Sequence, residues 1–161
     1  MTANTAWEEL EIRVEARFVL WALRCCAHRP QDSTNAVTQE LARGFELADA
    51  TETLGRFWRF AQTLCGASES AVDWHHPSCD CVSLFEMQVL EALSLVATPG
   101  WSVPRWVALV GPEAAPQVDA LARHWLSDLR RAGIGYPAPG ELVRAGNAVA
   151  YAGLPVPPLR H

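Results

Sequence analysis

Apolar residues recur at three- and four-residue steps through most of the chain, the period of one face of an α-helix. Trp7, Leu10, Val14, Phe18, Trp21 and Cys25 keep that step and predict a first helix running to Ala27. Thr5 and Glu8 have the spacing of a capping box that would start it, each side chain satisfying a backbone donor of the other. Glu8, Glu9, Glu11 and Glu15 enrich its first half in acid, which suits the positive end of the helix dipole and is most simply a solvated face. His28-Arg29-Pro30 ends it, because the residue before a proline is disfavoured in helical geometry.

Gln31 to Asn35 reads as a polar loop and cap, after which Ala36, Val37, Leu41, Phe45 and Ala48 outline a shorter amphipathic helix. Asp49 and Thr51 are candidate caps for a third, with Leu54, Trp58, Ala61 and Cys65 on one stripe and Gly66 as its stop. A fourth helix, Ser83 to Ala97, carries few polar residues after its cap, namely Glu86, Gln88, Glu91 and Ser94. A helix this apolar is normally covered on most sides, so it is expected at the centre of the fold. Its start is well specified: Ser83 and Glu86 form a capping box, and Val82 and Met87 sit where a hydrophobic staple would set the entry angle.

Thr98-Pro99-Gly100 stops the fourth helix, and the apolar stretch from Trp101 to Val110 reads either as a short helix starting near Pro104 or as an extended segment. Pro112 suits the first turn of a fifth long helix that ends at Gly133, with Leu121, Trp125 and Leu129 on its inner face. Beyond it, Pro137, Pro139, Pro155, Pro157 and Pro158 predict a loop-rich tail. Glu141 to Arg144 and Ala148 to Tyr151 flank Ala-Gly-Asn there, as in a small hairpin or a broken helix. The predicted class is all-α: a compact helical bundle of about five helices over residues 1–133, with a Cys/His loop at 73–82. Residues 134–161 are expected to be an extended Pro-rich tail packing on the same domain.

Composition narrows the function classes. At 161 residues, half of them hydrophobic and 19% charged, the chain can bury a sizeable core and does not resemble a disordered one. The net charge of -5 argues against broad binding to nucleic acid or anionic membranes. All 13 basic residues are arginine, a bias to which we give no mechanistic weight. No secretory signal pattern opens the sequence and no run reaches the length of a membrane span, which points to a cytoplasmic protein. In that compartment clustered cysteines more often serve metal or redox chemistry than structural disulfides, and the odd count of five agrees.

The candidate chemistry lies just ahead of the fourth helix, in Asp73-Trp74-His75-His76-Pro77-Ser78-Cys79-Asp80-Cys81. His76, Cys79 and Cys81 give H-x-x-C-x-C, a nitrogen and two sulfurs compact enough to wrap one ion, and zinc takes that donor set. If short connections make consecutive helices antiparallel, the C-terminal ends of helices one and three fall at the pole where this loop sits. Cys65 is then the first choice for a fourth ligand, with His75, Cys26 and Cys25 as alternatives. Adjacent His75 and His76 in an extended loop would point in opposite directions, so both binding one ion is disfavoured. Cys25, Cys26 and Cys65 also read as small buried hydrophobes, the seven tryptophans as core mass, and His124 and His161 as exposed or terminal residues.

The function expected from these residues is zinc-type metal binding with a structural or regulatory role, as a sensor or adaptor with a protein partner or a second copy. Three other readings use the same chain. Cys79 and Cys81 near a helix N-terminus could run thiol redox chemistry. A metal-dependent hydrolase would need an open coordination position and a general base, for which Asp73, Asp80, Glu69 and Glu86 are all candidates. Arg123, Arg130 and Arg131 ahead of a hairpin loosely suggest a winged-helix-like nucleic-acid regulator, which the net acidity weakens. Phosphate-binding loops, nucleophile elbows and H-E-x-x-H helices do not occur, and a structural or regulatory role is favoured over catalysis.

Overall fold

Helical periodicity carries over into the structure, a computed structural model that describes residues 12–28, 34–68, 74–96 and 101–143. Six α-helices account for the regular structure among these residues: α1 Val14–Ala27, α2 Thr34–Leu47, α3 Leu54–Ala67, α4 Leu84–Leu95, α5 Ser102–Val110 and α6 Ala115–Arg131. A short 3-10 turn, Thr51–Thr53, leads into α3. The fold is all-α, and its β structure among the described residues is a single antiparallel bridge between Ile12 and Val143. No helix among these residues is long and apolar enough to cross a membrane.

The most apolar helix, α4, is the most thoroughly covered. Met87, Val89, Leu90, Ala92 and Leu93 are buried along it, and so are its polar Glu86 and Ser94. α1 and α5 pack against it, α6 packs on α3 and α5, and α1 also touches α2 and α3. A run of aromatic rings knits these layers together. Phe18 of α1 meets Phe45 of α2 at 5.0 Å, Phe45 meets Phe57 of α3 at 5.2 Å, and Phe57 meets Trp125 of α6 at 4.9 Å. Phe60 continues the run to Trp106 of α5 at 6.1 Å. Edge-to-face and offset contacts of this kind add to the stabilisation from burial. Trp74, Trp106 and Trp125 are core residues, whereas Trp101 is 61% exposed.

Two local expectations are revised, each for a visible reason. α1 starts at Val14, later than the Thr5–Glu8 spacing predicts, and its N-cap Arg13 is extended with no side-chain cap. Ile12 and Arg13 are instead drawn into pairing with the C-terminal segment, the Arg13 N–H donating to the Leu142 carbonyl at 3.0 Å. Thr5 and Glu8 lie outside the described residues. Asp49 closes α2 rather than capping α3: it takes a left-handed φ of 56°. With it the Ala50 N–H reaches back to the Phe45 carbonyl at 2.8 Å, a Schellman ending with Asp in the place usually held by Gly.

The stretch 101–110, read as either a short helix or an extended segment, takes the helical form, with Pro104 in the first turn of α5 where its missing N–H leaves no gap. α5 is locked to α6 by a buried polar cluster. Asp119 accepts from the Ser102 hydroxyl, from Trp106 Nε1 at 3.2 Å and from Arg123 at 3.0 Å. α6 ends at Gly133 as expected, with φ 93° and the Ile134 N–H bonded to the Leu129 carbonyl at 2.8 Å. The described part of the tail, 134–143, is non-helical; Pro137 and Leu142 are buried and the Tyr136 hydroxyl donates to the Leu90 carbonyl at 2.8 Å. Burial holds that hydroxyl well above its usual pKa. Most of the suggested hairpin lies outside the described residues.

Candidate functional site

The Cys/His loop is built outward from the N-terminus of α4. The capping box is formed as its spacing requires: Ser83 Oγ accepts from the Glu86 N–H at 3.1 Å, and Glu86 Oε2 accepts from the Ser83 N–H at 2.9 Å. Val82 and Met87, the staple pair, are both buried. Replacing Ser83 by alanine should lower stability by about 1 kcal/mol through loss of the cap. A urea titration checks this, and an unchanged midpoint would mean the cap is redundant.

Glu86 does more than cap. Its carboxylate is fully buried and accepts four hydrogen bonds, filling the capacity of its two oxygens. Besides the Ser83 N–H, the donors are Arg24 Nε and Arg24 Nη2, each at 2.7 Å, and the His75 N–H at 2.8 Å. Arg24 itself is buried in α1, and its guanidinium also donates to the carbonyls of Cys79, at 2.7 Å, and Cys81. A paired, fully hydrogen-bonded arginine is the form in which a buried charge is tolerated. One residue of α1 therefore fixes both cysteine carbonyls of a loop that is 55 residues further along the chain.

Arg24 was not legible as a site residue from helical spacing alone. The available signal is that it is the lone charged residue between Phe18 and Ala27, on a helix otherwise committed to the core. His28, one turn further on, meets the loop as well, with Nε2 2.6 Å from the Trp74 carbonyl. The C-terminal end of α1 and the loop thus share one pole of the bundle.

At that pole His75, Cys79 and Cys81 come together, one ligand atom from each lying within 4.8 Å of the others. His75 Nδ1 is 2.9 Å from Cys81 Sγ and 3.9 Å from Cys79 Sγ. The two sulfurs are joined as a disulfide, S–S 2.18 Å. Glu86 orients the histidine by holding its backbone N–H. His76 faces elsewhere: its Nδ1 lies 2.7 Å from the Ser78 hydroxyl, and the residue is exposed. The neighbouring histidines do point apart, and the structure brings His75 rather than His76 to the sulfurs.

The remote cysteines stay out of this group. Cys25 is buried in the core face of α1, where desolvation and then the charge of Glu40 push its thiol up to about 12. Burial likewise pushes the Cys65 thiol up to about 11. Both are neutral thiols at physiological pH and behave as apolar packing groups. Cys26 packs partly buried against the core. Of the carboxylates considered as a general base, Glu86 has no free lone pair and Asp80 is exposed, while Asp73 and Glu69 lie outside the described residues. On α6, Arg123 is tied to Asp119 and Arg131 to Asp128.

The chemistry available at the site is therefore that of two sulfurs and one imidazole nitrogen, held beside the positive end of α4 with an arginine behind the loop. Compared with known proteins, the chain matches no family model, no curated sequence and no solved structure.

Proposed function

We propose that this protein binds one zinc-type ion through His75 Nδ1, Cys79 Sγ and Cys81 Sγ when the pair is reduced, and that the ion serves a structural or regulatory role. The observation that carries this reading is the meeting of three ligand atoms within 4.8 Å on a loop whose backbone is anchored at His75, Cys79 and Cys81. Two thiolates and an imidazole are a donor set that suits zinc. On reduction the sulfurs separate to the distance that two Zn–S bonds of about 2.3 Å require. The fourth position would be filled by water or by a side chain from a partner molecule. Among the described residues the carboxylate nearest His75 belongs to Glu86, and its four hydrogen bonds leave it no lone pair with which to activate a bound water, which supports a structural role over hydrolysis by that residue.

Protein purified under reducing conditions without a metal-affinity tag should carry about one zinc per chain by plasma mass spectrometry. Replacement of zinc by cobalt should give the sulfur-to-metal charge-transfer bands of a two-thiolate site. Cys79→Ser and Cys81→Ser should lose the metal, whereas His76→Ala should keep it. Metal content that is unaffected by either serine variant would overturn the assignment.

A second reading rests on the bonded sulfur pair: Cys79 and Cys81 act as a thiol–disulfide couple. The two readings use the same atoms. Oxidation removes both thiolates from the metal, so a metal-loaded state and a disulfide state exclude one another at this loop.

A further inference from the structure

A cavity of about 300 Å³ opens beside the disulfide, with Cys79 and Cys81 in its wall. Leu20 and Trp21 of α1 supply apolar surface, and Arg17 and Asp80 supply one charge of each sign. Both charged residues are exposed, and neither side chain has an ion-pair or hydrogen-bond partner among the described residues. Arg24 also reaches the cavity, but its guanidinium is committed to Glu86 and the loop carbonyls. His75 is not part of the lining, so it meets the sulfurs from outside the cavity. The volume is at the lower end of the about 300 to 1,000 Å³ typical of small-molecule sites. It suits a small solute rather than a folded partner.

We infer that this cavity admits a small zwitterionic thiol, one carrying a carboxylate and an ammonium group like an amino-acid thiol, which exchanges with the Cys79–Cys81 disulfide. The proposal rests on the thiol–disulfide reading of the pair. The carboxylate meets Arg17, the ammonium meets Asp80, and the sulfur is left facing the pair. The incoming thiolate forms a bond to Cys79 Sγ as the Cys79–Cys81 bond breaks, and the electron pair departs on Cys81 Sγ. Cys81 is the leaving sulfur because it lies 2.9 Å from His75 Nδ1, against 3.9 Å for Cys79, so an Nδ1–H there can receive the charge as a hydrogen bond. A second molecule of the thiol then attacks the substrate sulfur of the mixed disulfide. It releases the substrate's symmetric disulfide and leaves Cys79 as a thiolate. Two thiolates have given two electrons to the protein pair, and the same steps run backwards oxidise it.

The test uses the full oxidised chain and follows loss of the protein disulfide by alkylation and mass spectrometry. Cysteine is compared with 3-mercaptopropionate, cysteamine and 2-mercaptoethanol, each rate being corrected for the fraction of thiolate present. 3-Mercaptopropionate and cysteamine should each react about tenfold faster than 2-mercaptoethanol, the size of one charge-assisted contact, and cysteine, which makes both contacts, about a hundredfold faster. Arg17→Ala should abolish the advantage of the carboxylate-bearing thiols, and Asp80→Ala that of the ammonium-bearing ones. Equal corrected rates for all four thiols, with dithiothreitol still reducing the pair, would overturn the cavity assignment and leave the redox reading standing. Resistance of the pair to dithiothreitol would overturn both. A cysteine-containing peptide with blocked termini reacting faster than free cysteine would give the cavity to protein thiols and overturn the choice of a zwitterion.

Discussion

Replacing Arg24 by alanine should lower the stability of the protein by about 3–5 kcal/mol, the cost of leaving one member of a buried ion pair without the other. Glu86 would keep only the N–H groups of His75 and Ser83 around a fully buried carboxylate, and the carbonyls of Cys79 and Cys81 would lose their donor. Against a total stability of about 5–15 kcal/mol for a typical domain, this is a large share. The loss should be local in its structural effect. Amide exchange should accelerate at residues 75–83, while the aromatic contacts of Trp125 with Phe57 and Phe60, which do not involve the loop, should persist. A double variant separates charge from packing. Arg24→Met with Glu86→Gln removes both charges and keeps a residue able to complete the capping box. It should recover most of the stability lost by Arg24→Ala, because replacing both members of a buried pair is often nearly neutral. A urea titration of the two variants beside the parent protein decides the matter, and a loss below about 1 kcal/mol in Arg24→Ala would place the pair among the interactions that contribute little.

How far the fold and the site were legible in the sequence follows from the range of the interactions involved. Helices with an apolar stripe were legible because their signal is local, and so was the start of α4, where Ser83 and Glu86 lie within one turn. The central place of α4 followed from its lack of a polar face. The keystone of the site was not legible, because Arg24 and Glu86 meet across 62 residues and no local period links them. Which histidine lies beside the sulfurs was not legible either. The H-x-x-C-x-C spacing points to His76, whereas the loop, its His75 N–H held by the Glu86 carboxylate, carries the His75 ring to Cys79 and Cys81. The start of α1 escaped too, since Ile12 is paired with Val143 at the other end of the chain. In each case a contact between elements decided what the local pattern alone could not.

Zinc should raise the melting temperature of the reduced protein and leave that of the oxidised protein unchanged. A ligand that binds only the folded state stabilises it by about 2.7 kcal/mol when present at 100 times its dissociation constant. In a chain of this size each kcal/mol moves the midpoint by about 2–4 °C, so the shift should be about 5–10 °C. The oxidised protein has no thiolate at Cys79 or Cys81 with which to hold the ion, and imidazole alone at His75 is too weak an anchor. His75→Ala and Cys81→Ser should each remove the shift in the reduced protein. Cys65→Ser should behave differently: it should lose some stability, because a partly buried thiol packed against the core is replaced by a hydroxyl, and yet keep the full response to zinc. Differential scanning calorimetry with and without reductant reads all of these outcomes. If reduced and oxidised protein respond to zinc alike, the ion is bound elsewhere and the sulfur assignment falls. If zinc moves neither form while a thiol reductant still opens the Cys79–Cys81 bond, the pair is a redox couple and not a metal site.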